Sequence, residues 1–563
     1  MSKRSLSPAP LPPSKRLHTL SPSEPPHSLP ALGFDSTFYD EVILQIFSHL
    51  PYTDLCSIQT INKNWSRLSL DNQLWKALYL KEYGRTRLRG GRGFIGRGDG
   101  REVRPLPGRA VVKGEEGKDW KWMFRISSNW RTGRCSVEHL HDRVTSKSSA
   151  AGLESSSTDQ IHVVLAGNLI ITTSSNATSP TITILTPNKQ THTLPAGSSR
   201  YNGPTHITAL SLDQSPPSSS HHSRLACFLS TGEFCMFSIN HQSPTSSLRT
   251  LTYVPTSKND RTSPIIHAVY HQPLLITLSK SFHLSIYDLS SNTVRHTQTL
   301  TSFTSFPPSS LVLSTPSPTT YKLVLAYAIP VYPAHWSVGA TELIISGQRS
   351  DSDSDSSDSG GPLPVSSMMV TGTRTIRAFD IPPGWIDEQK LRSMREQWGR
   401  KVSRVADTQT DGKWVVLAPD DPHVPSHSAS TSAPASPSLY TSSPYRSPTT
   451  LQLYRLHLPS SSSSSSPKLN FVRNLYGQDG PVEALALADG RCVSLGVNGS
   501  IWAWDLEVGM GTEVAPARDW KEALSDKGWT EMGGGEGRGK VVFDERRVVS
   551  SGGGRVEVRR FDV

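Results

Sequence analysis

Cysteine is scarce in this chain: five residues among 563, at positions 56, 135, 227, 235 and 492. An odd, scattered set with no Cys-x-x-Cys argues against a disulfide framework and offers no zinc-ligand spacing. Long apolar runs are also missing. None approaches the ~18–20 residues that a helix needs to cross a bilayer, so no membrane association is expected. The opening MSKRSLSPAPLPP has charge but no apolar h-region, so a secretory signal is not expected either. Nucleus and/or cytoplasm is the expected location. Hydrophobic residues make up only 35%, against ~45–50% in a compact domain. Proline and glycine are abundant instead, 42 and 41 residues. Part of the chain must therefore be linker or insert, while the remainder is still long enough for a sizeable core.

Motifs for bond chemistry are equally thin. There is no His-Glu-x-x-His and no Gly-x-Ser-x-Gly. Gly534 to Lys540 imitates a phosphate-cradling loop, but Val541 stands where Ser or Thr must hold magnesium, and a strand pattern follows it. Cys227, Cys235 and Cys492 fall in strand patterns and read as small apolar fillers. The 19 histidines show no ligand spacing. No catalytic residue, cofactor or metal is expected.

What is present is unevenly placed. The net charge of +10 is concentrated locally: residues 76–143 hold 17 Lys and Arg against 8 Asp and Glu. The densest part, RTRLRGGRGFIGRGDGR (85–101), is too rich in glycine to fold alone. Such a segment either is a solvated insertion or binds RNA backbone. Residues 1–33 read as a disordered Ser/Pro-rich tail, with Lys3-Arg4 and Lys15-Arg16 spaced like a weak bipartite import signal. The acidic run DSDSDSSDS (351–359) cannot bury apolar area and reads as disordered.

Residues 34–83 read as compact helices. Val42, Ile43, Ile46, Phe47 and Leu50 recur at helical spacing, predicting a first helix over 40–49, stopped by Pro51. Thr53 is expected to cap a second helix. A third starts near Asn62, and Asp71 caps a fourth. Four short helices make a marginal core, yet more apolar residues are present than one small bundle can hide. That surplus predicts a face for a partner.

The stretch resembles an F-box. Glu41-Val42-Ile43 fills the Glu-Ile-Leu positions of that family. Ile46-Phe47, Leu50, Asp54-Leu55, Ile61 to Trp65 and Leu74-Trp75 follow in register, while Phe38-Tyr39 replaces the leading Leu-Pro and Asn62 the usual Cys. The resemblance implies binding to a Skp-type adaptor and, through it, to cullin and RING subunits. Phe38, Val42, Ile43, Ile46, Phe47, Leu50, Ile61 and Trp65 would be the adaptor-binding residues, with Trp65 and Trp75 the leading candidates for pure core.

After the Arg/Gly-rich segment 84–118, residues 119–134 read as a helical linker. Asp119 is its cap, its helix is expected to end near 128, and Trp130 is placed past that end. This segment resembles the joint between an F-box and a WD-repeat propeller. From 135 to 563, short β-branched runs alternate with turn residues, including Asp489-Gly490 and Asn498-Gly499, strong hairpin signals. Seven units emerge: 162–186, 207–239, 264–289, 310–381, 414–458, 482–506 and 540–563. Four close on aromatic-Asp-aliphatic triplets. They resemble WD-like blades, and Ser/Pro insertions at 213–223, 302–309, 348–362, 421–450 and 459–467 account for the surplus length. The expected fold is thus α+β multidomain, a small all-α module followed by an all-β propeller. The expected function is a non-catalytic substrate-recognition subunit of an SCF-type ubiquitin ligase, with an unknown protein target on the propeller. RNA-associated and ubiquitin-independent scaffolds are the alternatives. No propeller residue is assigned to target binding.

Overall fold

A computed structural model describes residues 37–84, 119–140 and 161–563, the last without 174–178, 202, 216–221, 256–262, 291–292, 303–307, 318, 332–333, 349–366, 380, 382–383, 421–447, 459–465, 518–538 and 553–554. The tail 1–33, the Arg/Gly-rich segment and the acidic serine run therefore lie outside the described residues. The chain separates into two compact units, 1–77 and 78–563.

The first unit contains helices α1 (Asp40–Phe47), α2 (Tyr52–Ile58) and α3 (Lys63–Ser69), and α4 (Asn72–Tyr79) begins in it. Side-chain caps set the starts of α3 and α4. The Asn62 side chain accepts from the Trp65 N–H at 2.7 Å, and Asp71 accepts from the N–H groups of Gln73 and Leu74 at 2.9 and 3.0 Å. Each satisfies donors that an open helix end would leave unpaired. Two expectations are corrected. α1 ends at Phe47, where the chain turns ahead of Pro51. Thr53 does not cap α2, because the helix already starts at Tyr52, with Pro51 in extended geometry as its N-cap residue. Trp75 is buried and donates its indole N–H to the Ser69 carbonyl at 2.7 Å.

The second unit opens with the end of α4, a π-helical turn (Leu80–Gly84) and helix α5 (Trp120–Thr132). Tyr79 packs on Trp120 and Tyr83 edge-on against Phe124. Asp119 caps α5 through the Trp122 N–H at 2.9 Å. The helix runs on past 128 and takes in Trp130. It stops only at Gly133, whose φ of +71° is left-handed and free of strain only for glycine.

Among the described residues, twenty-eight strands follow, in seven four-stranded antiparallel sheets. The first strand is β1 (Ser136–Leu140). Blade one is β2 (Val163–Ala166), β3 (Leu169–Thr173), β4 (Thr181–Leu185) and β5 (Thr191–Pro195). Blade two is β6 (Ile207–Leu212), β7 (His222–Leu229), β8 (Phe234–Asn240) and β9 (Leu248–Tyr253). Blade three is β10 (Ile265–His271), β11 (Leu274–Ser279), β12 (His283–Asp288) and β13 (Arg295–Thr301). Blade four is β14 (Leu311–Ser317), β15 (Thr320–Val331), β16 (His335–Gln348) and β17 (Ser367–Arg377). Blade five is β18 (Val405–Thr410), β19 (Trp414–Pro419), β20 (Pro448–His457) and β21 (Lys468–Asp479). Blade six is β22 (Val482–Ala488), β23 (Arg491–Gly496), β24 (Ile501–Asp505) and β25 (Met510–Ala515). Blade seven is β26 (Lys540–Phe543), β27 (Arg547–Gly552) and β28 (Arg555–Arg560), completed by β1.

All seven units read from the sequence are blades, and the molecule is a seven-bladed β-propeller. Its closure is chemical as well as geometric: β1 pairs with β28, Ser136 opposite Arg560 and Leu140 opposite Val556. The apolar residues explain the ring. Each hydrophobic cluster joins two neighbouring blades, and the set runs from one–two right round to seven–one. Each sheet therefore buries both faces, and none is stable alone. Turn chemistry agrees, since Asp489 and Gly490 both take positive φ, +47° and +69°, as a tight primed hairpin requires. Helix α6 (Glu388–Gly399) was not anticipated. It is capped by Asp387, which accepts from the Lys390 N–H at 2.7 Å, and has no buried residue. It is a surface insertion whose polar composition masked the periodicity.

Candidate functional site

The first unit divides its apolar residues between two faces of α1. Ile43 and Phe47, four apart, are 0% and 2% exposed. Phe47 meets Trp65 of α3 edge-on, with ring centroids 5.8 Å apart. Asp40 and Arg67 pair at 2.6 Å and tie α1 to α3 from outside. On the other face, Val42 and Ile46 are 42% and 41% exposed, and Phe38, one turn earlier, is 42% exposed. Ile61, in the turn before α3, is more exposed still. Leu50 and Trp65 are half-buried.

The eight residues expected as adaptor anchors are divided by burial. Ile43 and Phe47 lie inside the fold, because helices this short need an i, i+4 pair from α1 to cover their own small core. Phe38, Val42, Ile46 and Ile61 remain on the surface. Sequence reasoning missed Tyr39, Tyr52 and Leu70, which are also exposed. Tyr39 stands beside Phe38 where the resemblance expects proline, a signal that could have marked it. Seven large apolar side chains are exposed in about forty residues, and of these Phe38, Val42 and Ile46 follow one another at four-residue spacing.

In the second unit, two of the four triplet ends stabilise turns. Asp505 accepts from the N–H groups of Glu507 and Val508 at 3.0 and 3.3 Å. Asp288 accepts from Ser290 N–H at 2.9 Å. Each closes the turn after a third strand. Asp380, in the triplet that follows β17, lies outside the described residues. Burial pushes the thiols of Cys227, Cys235 and Cys492 up, away from the reactive thiolate. Of the glycine-rich imitation loop, only Gly539 and Lys540 are described. They lead into β26, not into a helix N-terminus. Lys540 instead contacts the His162 ring at 2.5 Å. Burial pulls its amine down to about 8 and, with Lys540 nearby, holds His162 well below the ordinary imidazole value.

Among the described residues, no group of His, Cys, Asp and Glu has the geometry of a metal site, and no helix is long and apolar enough to cross a membrane.

A small helical unit with an open apolar face thus precedes a seven-bladed propeller in this chain. The F-box-like family profile matches residues 40–81. The F-box protein pof12 beta-propeller family profile matches residues 150–527, about two thirds of the chain, and this protein belongs to that family. No curated protein matches it. Similar solved structures include the beta-propeller domain of Myceliophteria thermophila Cps50 (Swd1), at 10% identity and a TM-score of 0.35. It covers 72% of this chain and 96% of that one. The computationally designed Ika8 protein is similar at 10% identity and a TM-score of 0.33, with the same coverages.

Proposed function

We propose that this chain is the substrate-receptor subunit of an SCF-type ubiquitin ligase, working in the nucleus or cytoplasm. The first unit binds a Skp-type adaptor, through it a cullin and a RING subunit, and the propeller holds the protein to be modified. The observation that carries this reading is the outward stripe Phe38, Val42 and Ile46, with Ile61, on a module that matches the F-box. A helix presenting apolar side chains at i, i+4 suits a hydrophobic groove on a partner. Closed propellers leave few free strand edges and gather their loops on two faces, which suits protein recognition. The chain performs no bond chemistry in this reading. It raises the local concentration of target near the ubiquitin carrier.

Affinity capture tests it. The full chain should retain a Skp-type adaptor and cullin, and Val42→Asp with Ile46→Asp should abolish capture. Both positions face solvent, so the melting profile should hold. Capture that survives both aspartates would show that this face is not the docking surface. A wild-type chain that never retains an adaptor would remove the ligase reading altogether.

A further inference from the structure

The outer edges of blades four and five leave a pocket of 510 Å³, inside the ~300–1,000 Å³ range of binding sites. Its floor is Ile376, near the end of β17, and Leu469, near the start of β21, both buried. One wall is α6, through Gln397. Arg377, Lys468 and Asn470 line it as exposed residues. No lining residue is acidic.

Three features remain unsatisfied. Among the described residues, Arg377 and Lys468 have no acidic partner. The neighbouring cations are already committed: Arg400 pairs with Glu396 and lies over the Phe471 ring, and Lys322 and Arg374 share Glu342. The Gln397 Oε1 atom is buried without a donor among the described residues, a costly state for a carbonyl. β17 and β21 are also the outermost strands of their sheets, with no further strand paired to their outer edges among the described residues, although the Val370 N–H of β17 already donates to Gln298 Oε1 at 3.0 Å.

The geometry points to a docking site for an acidic, extended segment of a partner protein. Its carboxylates meet Arg377 and Lys468, a backbone N–H donates to Gln397 Oε1, and an apolar side chain rests on Ile376 and Leu469. The charge complement selects the occupant, because two cations with no acidic partner and no lining acid among the described residues disfavour a basic peptide. The chain's own acidic run fits poorly. It is tethered at Gln348 and Ser367, which pair across β16 and β17, and at ~3.5 Å per residue Asp358, the aspartate that can extend farthest from these tethers, reaches at most about 32 Å from Ser367 when fully extended. Arg377 lies ten residues along β17, or ~33 Å away. The site does not depend on adaptor binding, and its test reads a different signal.

The test is fluorescence anisotropy of the full chain with a fluorescein-labelled peptide of alternating glutamate and valine. The same peptide with lysine in place of glutamate is the control. The glutamate peptide should bind saturably and weaken with salt, and the lysine peptide should not bind. Arg377→Glu with Lys468→Glu should cost about tenfold or more in affinity, and Gln397→Leu about threefold. Both charge positions are exposed, so the melting profile should stay unchanged; Arg377→Gln with Lys468→Gln serves if it does not. No saturable binding, equal binding of the lysine peptide, or affinity unchanged by the neutral or reversed pair would overturn the proposal. Replacing 349–366 by a Gly/Ser linker of equal length should leave affinity unchanged. A gain beyond about threefold would mean that the chain's own run fills the pocket, and would overturn the assignment to a partner.

Discussion

Replacing Trp130 by alanine should be among the most damaging single changes in the propeller unit. Trp130 is 4% exposed on α5. Its ring stacks on Phe561 at 3.9 Å and 11°, and meets Phe543 edge-on at 6.0 Å. The Arg491 guanidinium lies 4.0 Å from its centroid, and its indole N–H donates to the Glu545 carbonyl at 2.9 Å. Truncating a buried tryptophan costs ~3–5 kcal/mol through lost transfer energy and the cavity left behind. The stack and the hydrogen bond account for about 0.5–1.5 and about 1 kcal/mol of such a loss. Trp130→Phe keeps the stack and loses the donor, so it should cost about 1–2 kcal/mol. Urea unfolding of the full chain, followed by far-UV circular dichroism, gives both shifts. A loss below about 1 kcal/mol for the alanine variant would refute the reasoning. It would mean that α5 is held on blade seven by its other anchor, the Asn129 amide donating to the Phe561 carbonyl at 2.7 Å.

Two further outcomes follow from local geometry. Gly133→Ala should destabilise by more than about 2 kcal/mol in the same assay, because φ is +71° and an added Cβ would collide with the Glu513 carbonyl oxygen; a neutral substitution would show that the joint can move aside. Lys540 gives a pH dependence. Its folded value of about 8 lies below the ordinary 10.5, so the unfolded chain binds more protons between these two values. Stability should therefore rise with pH from about 8, with the burial penalty complete below that. The rise should be clear up to about pH 10, where buried Tyr270 and Tyr454, both pushed upward, begin to act in the opposite sense. Lys540→Met should flatten it, and an unchanged slope in urea midpoints would refute the assignment.

The sequence by itself determined the local elements. Apolar periodicity and Asn or Asp caps marked α3 and α4, and Asp-Gly and Asn-Gly marked hairpins. Strand-and-turn repetition marked seven units and so six to eight blades, because most blades are contiguous segments with their own turn chemistry; the closed ring decided the count of seven. α6 escaped because a helix with nothing buried carries little apolar signal. The tertiary structure alone decided which face of α1 is inside. Val42, Ile43, Ile46 and Phe47 are all apolar and all at helical spacing, and only the packing of α3 selects Ile43 and Phe47. It alone paired β1 with β28, more than four hundred residues apart, since a strand pattern does not name its partner. It alone brought Arg377, Gln397 and Lys468 to one pocket, for a contact between distant segments depends on the closed ring, not on any local run of residues.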